Sequence, residues 1–521
     1  MPARNRRSIE GSIEVMDTTL RDGEQTPEVS YTPAEKLQIA RGLLREVRVD
    51  RIEIAQTRVS EGEREAARRV CAWARKSKCL PRVEILGYCD GAASVDWIAA
   101  VGGQVMNLLV KGSERHCRGQ LRLSPEAHRD AVRETLGHAR RRRLRVNAYL
   151  EDWSNGVRES FDYVFAMVQR LRELGVERIF LADTLGVLSP RDAGRFVGLM
   201  TATWPHVHFE FHAHDDYGLA TANCLAAVEA GVRGVHTSVN GMGERAGNTR
   251  LAELVSALHD QTPHRTNVDE SRLSAISRLV ETFSGKDVAP NAPIVGRDVF
   301  TQTAGVHADG DAKGDLYASA LAPERFGRKR RYALGKLAGG ASLGRNLDAL
   351  GIELSPEARG LVLQRVKELG DKKHTVMPDD LPYIIADVLK TPATQTVRIA
   401  SYQVVVGSDS TPTAQVEVHC GRRRAKASAS GDGGYDALMN ALKKAVRAFG
   451  IEIPQLEDFR VRIPPGGRTG ALVETLITWR GNPRQGNFST LGVDTDQLAA
   501  AVIATEKMLN AVAAPRGRAR P

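Results

Sequence analysis

The sequence predicts an α/β protein: a TIM (β/α)8 barrel, a small helical and irregular linker region, and a C-terminal α/β domain of doubled β–β–α type. Two observations favour the barrel. Between residues 13 and 260, eight runs rich in β-branched residues alternate with helical stretches, and eight units in about 250 residues is typical of this fold. An open, doubly wound sheet would place a G-x-G-x-x-G turn after the first strand, and residues 17–25, DTTLRDGEQ, contain none.

Each predicted barrel strand is a short apolar run, followed by a helical stretch. The strands are predicted at 13–19, 51–56, 83–89, 104–112, 145–152, 178–184, 206–214 and 234–241. Several helices are predicted to begin where a hydroxyl side chain precedes proline, because the hydroxyl accepts a backbone hydrogen bond and proline has no amide proton to leave unpaired. These start signals are Thr32-Pro33, Ser124-Pro125 and Ser189-Pro190.

The composition divides the chain into five predicted segments. They are a disordered basic arm (1–12), the catalytic barrel (13–290), flexible linker subdomains (291–395), the C-terminal domain (396–512) and a disordered tail (513–521). Residues 300–345 are rich in Gly, Asp and Lys, which indicates a functional excursion rather than regular structure. From about residue 395 the pattern is strand, strand, helix, and then the same again, which predicts an internally doubled module.

The overall composition is that of a cytoplasmic enzyme. Of 521 residues, 42% are hydrophobic and 26% charged, and no apolar run is long enough to span a bilayer. The basic start is not followed by an apolar stretch, so no secretory signal is expected. Six scattered cysteines, none in a CxxC pair, indicate reduced thiols rather than a disulfide frame.

The net charge of +10 and the pI near 9.3 leave nucleic-acid binding open as one interpretation. Aromatic residues make up only 5% of the chain, and no helix-turn-helix, RNA-recognition or zinc-finger pattern is present. We therefore expect no nucleic-acid partner, and attribute the basic clusters to a solvated surface or to attraction for a phosphate-bearing cofactor.

Unusual polar residues follow five of the predicted strands. These strand ends are residues 17–25, Glu151-Asp152, Asp183-Thr184, His212 with His214, and residues 240–248. A single such end is explained as a cap for the next helix. Five ends that converge on the C-terminal rim of a barrel, where such barrels hold their active sites, indicate a catalytic centre.

The residue types at this rim suit a divalent metal. His212 and His214 are two apart in a strand and so point to the same face. Taken alone the pair is ambiguous, but with Asp22 it forms a mixed nitrogen and oxygen site for Mn, Mg or Zn, with Asn248 as a fourth or outer ligand. Arg21 could polarise a carbonyl oxygen and stabilise the alkoxide that forms.

Three segments carry a resemblance to a known family. Residues 17–25, the His212/His214 pair and the loop 243–248, GERAGN, resemble the metal-dependent aldol-type synthases and lyases of the isopropylmalate synthase superfamily. The resemblance runs from about residue 13 to 510, through GVHADGDAKGDLYA, which favours the synthases with a C-terminal regulatory domain over the shorter lyases. Within these, LEDWSNG, DTLGVLSP, VFTQTAGVHADGD and PERFGRKR are most similar to the citramalate synthases.

The resemblance implies that acetyl-CoA condenses with a metal-bound 2-keto acid, and that water then hydrolyses the thioester. By the same resemblance, Arg21 polarises the ketone and Glu151 positions Arg21 and the base. Thr184 hydrogen-bonds the substrate carboxylate, and Glu244 lies near the acetyl-CoA. These roles are implied by matching motifs, and each remains an expectation about this chain.

The resemblance also brings in the Gly-rich stretch. It implies that His307 is the base or its partner, with Asp309 and Tyr317 beside it, and that this stretch serves the partner's site in a homodimer. Which group takes the proton stays open, because a base must first be placed by geometry.

The keto acid is predicted from three bulky residues late in strands 3, 4 and 5. The resemblance places Leu86, Leu109 and Tyr149 around the substrate side chain, although ordinary filling of the barrel explains them equally well. If they line the pocket, a methyl group fits and an isopropyl group clashes. Pyruvate, and hence citramalate for isoleucine synthesis, is therefore expected over 2-ketoisovalerate and the isopropylmalate synthase reaction of leucine synthesis.

The C-terminal domain is implied to bind an inhibitory amino acid, isoleucine for the first reaction or leucine for the second. Allostery requires two sites and two states, and the sequence displays neither. Two other classes stay open as rivals, a lyase that runs the reaction backwards and a biotin carboxyltransferase. The latter normally needs a biotin module, and the sequence contains no segment of that kind.

Overall fold

The computed structural model describes residues 12–314, 316–350, 352–371, 376, 378–389, 396–462, 473–481 and 488–513. The chain divides into two compact units: the barrel unit, Met1–Phe300 with Ala318–Arg330, and the second unit, Thr301–Tyr317 with Arg331–Pro521. Residues 1–11 of the predicted arm and 514–521 of the predicted tail lie outside the described residues. Among the described residues, no helix is both long and apolar enough to cross a membrane.

Eight parallel strands close into a barrel in chain order, and the last strand pairs with the first. They are β1 Glu14–Asp17, β2 Arg51–Gln56, β3 Val83–Tyr88, β4 Val105–Lys111, β5 Arg145–Glu151, β6 Arg178–Asp183, β7 His208–Ala213 and β8 Gly234–Thr237. Met16 lies opposite His236 where β1 meets β8, so the sheet has no free edge. The predicted TIM barrel is confirmed, and each observed strand lies within its predicted run.

Helices separate the strands and surround them. They are α1 Pro33–Arg41, α2 Glu61–Lys76, α3 Ala93–Ala100, the single turn α4 Glu114–His116, α5 Pro125–Arg141, α6 Trp153–Glu159, α7 Phe161–Glu173, α8 Pro190–Thr203, α9 Ala220–Glu229, α10 Leu251–Gln261 and α11 Leu273–Ser284. The three predicted start signals are confirmed, since each hydroxyl accepts from an amide three residues on: Thr32 from Glu35, Ser124 from Ala127 and Ser189 from Asp192. These caps fix the helix starts that follow three of the rim loops.

The barrel interior is charged where the strands begin. Arg51 donates to Glu84 at 2.8 Å and also pairs with Glu210, while Arg178 lies 2.9 Å from Glu14 and 2.8 Å from Glu210. We call these five residues the ionic layer. Barrel interiors are usually filled by bulky branched apolar residues. Here charge replaces them, and because each described charge is paired, ion pairs join five of the eight strands.

The second unit begins with short elements and then forms two helix-backed sheets. Its helices are α12 Gly305–Ala312, α13 Gly340–Leu350, α14 Pro356–Asp371, α15 Leu381–Leu389, α16 Gly434–Arg447 and α17 Gln497–Ala513. Its strands are β9 Thr301–Gln302, β10 Arg331–Tyr332, β11 Val397–Gly407, β12 Ser410–Cys420, β13 Arg423–Ser430, β14 Leu456–Arg462, β15 Val473–Trp479 and β16 Phe488–Asp494. The prediction that residues 300–345 lack regular structure is wrong, because they contain β9, the eight-residue helix α12, β10 and the start of α13.

The internal doubling of the C-terminal domain is confirmed, but each repeat has one more strand than predicted. Three antiparallel strands precede each long helix, β11-β12-β13 before α16 and β14-β15-β16 before α17, so the repeat is β–β–β–α. In β13, RRAKASAS, only alternate alanines pack on the core, and the remaining side chains are polar. Such a strand has too little apolar content to be recognised from its composition. Strand β16, FSTLGVD, contains Ser, Thr, Gly and Asp, a composition that resembles the loop before a helix.

Candidate active site

Arg21 and Asp22 lie in a tight turn at the C-terminal end of β1. The main-chain amides of Arg21, Asp22 and Gly23 all donate to the carbonyl of Thr18, at 3.0, 2.9 and 3.1 Å. The turn directs adjacent side chains of opposite charge towards the centre of the rim, where both are largely buried. Adjacency in sequence alone would not bury both side chains. The turn does so, and it brings the two opposite charges together at the rim.

Asp22, His212 and His214 form a compact triad. His212 Nε2 lies 3.2 Å from Asp22 Oδ2 and 3.4 Å from His214 Nε2, and His214 Nε2 lies 3.9 Å from Asp22 Oδ2. All three side chains are buried, and their ligand atoms lie within 4.8 Å of one another. Three such atoms converging on one point is the arrangement that a divalent cation requires.

Unpartnered polar atoms around the triad also fit a metal. Among the described residues, Asp22 Oδ1, both histidine Nδ1 atoms and Asn248 Oδ1 are buried without a hydrogen-bond partner. The backbone of Asn248 pairs with that of His214, and its Nδ2 donates to the carbonyl of Met242, which leaves its oxygen free to bind. Buried polar atoms without partners are costly unless a ligand satisfies them. The donor set therefore fits Mn, Mg or Zn, with Asn248 as the additional oxygen.

The protonation states suit metal binding. Burial opposes charge on Asp22, but Arg21 Nη1 at 3.3 Å and the hydrogen bond from His212 outweigh it, so the pKa of Asp22 lies well below its usual value. Burial lowers the pKa of His214 to about 4. At neutral pH the site thus presents an anionic oxygen and a neutral imidazole, which are the forms that coordinate cations.

The carboxylate that holds Arg21 is Glu53, and this corrects the role expected for Glu151. Glu53 Oε2 accepts from Arg21 Nε at 2.5 Å, and its other oxygen accepts from Asn107 Nδ2 at 2.8 Å. Glu151 lies at the end of β5 and forms an ion pair with the buried Lys111 of β4. Glu53 lies on β2, the direct neighbour of β1, where its carboxylate meets Arg21.

Leu86, Leu109 and Tyr149 lie together inside the barrel, as the resemblance implied. They belong to one small apolar cluster with Met16, Phe180 and Ala182. The tyrosine ring is edge-on to Phe180 and His212, with ring centres 4.8 and 5.6 Å apart. The cluster therefore reaches the triad through Tyr149 and His212.

Thr184 and Glu244 lie on two rim segments that contact each other. Thr184 Oγ1 accepts from the amide of Asp152 at 2.8 Å, so its own proton remains available to a ligand. The carbonyl of Thr184 accepts from Arg245 Nη2 at 2.7 Å. Glu244 is 56% exposed and lies 3.4 Å from Arg245, which leaves it accessible to a large substrate.

His307, Asp309 and Tyr317 all belong to the second unit. The rings of His307 and Tyr317 are 4.3 Å apart, and Gly310 packs against the tyrosine ring. Asp309 Oδ2 lies 2.6 Å from Lys313 Nζ. The three predicted residues thus lie in one short segment, on or directly after α12, with the tyrosine 46% exposed.

Three buried polar residues of the barrel interior were missed from the sequence: Glu53, Lys111 and His236. Each directly follows an isoleucine or a valine in a predicted strand. Polar side chains that alternate with apolar ones in a strand buried on both faces indicate an interior role, and that signal was available in all three strands.

Family models match three successive parts of the chain. They are HMGL-like over residues 12–280, homocitrate synthase post-HMGL domain-like over 294–374, and the LeuA allosteric (dimerisation) domain over 375–513. The first match covers the barrel and its rim. The chain belongs to the HMGL-like family. The HMGL-like barrel here is therefore followed by two further regions with their own family models, and the first of these, 294–374, overlaps both compact units.

Relatives with two different enzyme names cover almost the whole chain. The (R)-citramalate synthase CimA of Methanocaldococcus jannaschii is 34% identical, over 90% of this chain and 93% of the relative. The 2-isopropylmalate synthase of the same organism is 33% identical, over 98% of this chain and 96% of the relative. Among solved structures, hydroxymethylglutaryl-CoA lyase from Pseudomonas aeruginosa is 20% identical and covers 56% of this chain and 97% of that chain, with a TM-score of 0.49.

Proposed function

We propose that this chain is an acyltransferase that condenses acetyl-CoA with pyruvate and water to give citramalate and CoA. The observation that carries the proposal is the buried triad of Asp22, His212 and His214, with Arg21 beside it and an apolar cluster in contact with it through Tyr149. A divalent metal bound there would supply a Lewis acid for the keto group. The full-length similarity to an (R)-citramalate synthase supports the same reaction.

The protein's own side chains account for binding and polarisation of the keto acid. Arg21 is held by Glu53, so its guanidinium is directed to stabilise negative charge on the keto oxygen as the new carbon–carbon bond forms. Thr184 has a free hydroxyl proton with which to bind the substrate carboxylate, because its oxygen already accepts from Asp152.

The remaining steps concern acetyl-CoA. We assign Glu244 to its vicinity, and assign removal of the acetyl methyl proton to the group of His307, Asp309 and Tyr317, whose rings and carboxylate lie in one segment. The resulting carbanion attacks the polarised keto carbon, and water then cleaves the thioester. Glu151 forms an ion pair with Lys111 at the rim, and we assign it to positioning the base.

Pyruvate is the proposed keto acid because Leu86, Leu109 and Tyr149 bring three bulky side chains together beside the triad. A bulky wall excludes larger substrates well, although it discriminates poorly against smaller ones. The second candidate is the 2-isopropylmalate synthase reaction with 2-ketoisovalerate. The chain is 33% identical to the 2-isopropylmalate synthase and 34% identical to the (R)-citramalate synthase of the same archaeon, which supports this second candidate.

We further propose a homodimer with a feedback site in the C-terminal region. The match of residues 375–513 to the LeuA allosteric (dimerisation) domain supports both. Isoleucine is the inhibitor consistent with citramalate, and leucine is consistent with the second candidate. Adding each amino acid to the assay, with size measured by light scattering, tests these two statements together.

The decisive experiment is a substrate panel. Purified protein is given acetyl-CoA with pyruvate, 2-oxobutyrate or 2-ketoisovalerate, release of the CoA thiol is followed, and the product is identified by mass spectrometry. Citramalate as the best product supports the proposal. Preference for 2-ketoisovalerate selects the second candidate, and release of no thiol with any of the three contradicts both.

The metal assignment has a matched pair of variants. His212→Ala removes a triad ligand, whereas His206→Ala removes an exposed imidazole just before the same strand. We expect the first variant to lose bound metal and activity together, and the second to keep both, as measured by elemental analysis and thiol release. Restoring stripped protein with Mn, Mg or Zn ranks the metals. A His212→Ala variant that retains metal and turnover would contradict the assignment.

A further inference from the structure

The hydroxyl of Tyr149 lies in a polar group inside the barrel. Its oxygen lies 3.2 Å from His236 Nδ1, 3.3 Å from Arg21 Nη2 and 3.3 Å from Glu53 Oε2. Tyr149 is 2% exposed and the His236 side chain is fully buried. A buried hydroxyl is costly unless it is hydrogen-bonded, so three partners at this spacing hold the phenol end of the ring in one place.

The one phenol proton has a definite destination. His236 Nε2 lies 3.1 Å from Glu210 Oε2, and Glu210 is an ionised acceptor because Arg51 and Arg178 both pair with it. The Nε2 atom of His236 must therefore carry the ring proton, which leaves Nδ1 as an acceptor. Tyr149 thus donates to His236, and its oxygen accepts from Arg21.

This arrangement has two effects at the site. The ring of Tyr149 cannot tilt without breaking the bond to His236, so the wall that it forms beside His212 is rigid. In addition, Glu53 Oε2 lies 3.3 Å from the phenol oxygen but only 2.5 Å from Arg21 Nε, so its shorter contact is with Arg21. The first effect acts on substrates according to their size, whereas the second acts on all keto acids alike.

We propose that His236 is a positioning residue that fixes the ring of Tyr149 and thereby sets the upper size limit of the keto acid. The proposal rests on the proposed function, since it assumes that the triad binds a 2-keto acid. His236 acts on the Tyr149 ring through that one hydrogen bond. Because phenylalanine has no hydroxyl to be held, a phenylalanine at position 149 would exclude large keto acids less strictly than tyrosine does.

Two substitutions at His236 separate this bond from the rest of the residue. In His236→Asn, the side-chain oxygen can occupy the place of Nδ1 and accept from Tyr149. In His236→Gln, the amide reaches the place of Nε2 and Glu210, and the acceptor for Tyr149 is lost. Tyr149→Phe removes only the hydroxyl and keeps the ring. All three are made in the full-length protein, loaded with the metal that supports wild-type turnover.

The measurement is kcat/KM for pyruvate, 2-oxobutyrate and 2-ketoisovalerate. One methylene in an apolar pocket changes kcat/KM by about 10- to 200-fold, so we expect His236→Gln and Tyr149→Phe to raise the ratio of 2-oxobutyrate to pyruvate by about tenfold. His236→Asn is expected to keep the wild-type ratio. Changes in kcat common to all three acids report on Arg21 and do not enter the ratio.

The outcomes distinguish the inference from the function on which it rests. Wild-type protein that turns over no keto acid, or that prefers 2-ketoisovalerate, contradicts the proposed function. Wild-type preference for pyruvate combined with an unchanged ratio in both His236→Gln and Tyr149→Phe contradicts the inference alone. A shifted ratio in His236→Asn as well would also contradict it, because packing rather than the hydrogen bond would then be responsible. If His236→Gln fails to fold, Tyr149→Phe decides.

Discussion

Arg21 has a carboxylate on each side, and the two have different tasks. Asp22 lies 3.3 Å away and belongs to the candidate metal triad, whereas Glu53 lies 2.5 Å away and pairs with the guanidinium Nε. Both partners keep Arg21 charged and still inside a buried site. The orientation of a group that stabilises developing charge is worth most where water is excluded.

Glu53→Gln is the residue-scale prediction. The substitution keeps the size of the side chain and removes the charge that orients Arg21, so kcat is expected to fall by about 10²- to 10³-fold, the range seen when one such stabilising group is removed. Bound metal should be unchanged, because Asp22 and both histidines are untouched. Steady-state kinetics and elemental analysis measure the two quantities.

The matched control is Glu65→Gln, which removes a carboxylate paired with Arg68 and Arg69 on the outside of the barrel. It should leave kcat at the wild-type value. A Glu53→Gln enzyme with normal kcat would show that Arg21 needs no carboxylate behind it.

These residues also show what sequence can reveal of a site. Asp22, His212 and His214 were predictable because their spacing and their place at strand ends are local properties. The role of Glu53 was not, because it depends on which interior side chains of different strands face each other. His236 and Tyr149 are 87 residues apart and meet only when the barrel closes.

At the scale of elements, the loop after β8 determines where Asn248 lies. Gly247 has φ of 88°, a conformation that side chains rarely adopt, and a Cβ there would lie 1.8 Å from the carbonyl of Gly241. That carbonyl accepts from the amide of Asn248, so a side chain at position 247 would directly displace the loop that carries Asn248.

Gly247→Ala is therefore expected to weaken metal binding about 10- to 100-fold, the range for losing the support of a ligand. It should also lower the free energy of unfolding by more than about 1 kcal/mol, since the new residue is strained. Isothermal titration with the preferred metal and urea unfolding measure the two effects. Gly119→Ala is the control, because nothing lies within 4 Å of a Cβ at that position. Equal metal affinity in the two variants would contradict this account of the loop.

A second element, a short turn, is held in place by an ion pair whose strength depends on pH. Arg325, on the short turn Pro323–Phe326, donates to both oxygens of Glu270, at 2.7 and 2.8 Å. Burial opposes charge on Glu270, but hydrogen bonds from His259 and Arg325 outweigh it and lower the pKa of Glu270 to about 2 from 4.5. The stabilisation is complete above the unfolded pKa near 4.5 and is lost as the pH falls towards 2.

Glu270→Gln should accordingly destabilise the protein at pH 7 by about 1–2 kcal/mol, because solvent screens part of the interaction of this partly exposed pair. The deficit relative to wild type should shrink below pH 4.5. Urea midpoints measured from pH 7 down to pH 3 test this. Asp298→Asn, in an exposed pair with Arg297, is expected to show no such trend. A deficit that is the same at pH 7 and pH 3 would rule out the ion pair as its source.

The elements themselves were largely predictable. All eight barrel strands and three helix starts follow from apolar runs and capping pairs, which are short-range signals. Strands β13 and β16 were missed because half-exposed, alanine- or glycine-containing segments gain their strand character from the neighbours they pair with, and not from their own composition.

At the scale of the whole molecule, the barrel is closed by charge as well as by apolar packing. Arg51 in the ionic layer serves Glu84 of β3 and Glu210 of β7, which come together only in the closed barrel. Removing one member of a buried ion network leaves the others charged and unpaired, and that costs more than the network contributes.

Arg51→Met is expected to lower the free energy of unfolding by about 3–5 kcal/mol, the range for breaking a buried pair. The side chain is 6% exposed, so solvent cannot compensate for the loss. Arg68, which pairs with Glu65 on the surface, is 66% exposed. Arg68→Met should therefore change the free energy of unfolding by less than about 0.5 kcal/mol. Chemical denaturation of both variants measures the difference, and comparable midpoints would argue against the ionic layer as a structural element.

The ionic layer has a consequence for how such an enzyme can evolve or be engineered. Its members depend on one another across five strands, so acceptable changes there must occur in compensating sets rather than singly. Exposed rim residues such as Glu244 lie outside this network. A library that randomises the rim should therefore yield many folded members with altered selectivity, whereas a library of single changes in the ionic layer should yield few, and new activities on this scaffold should be reached by changing the rim first.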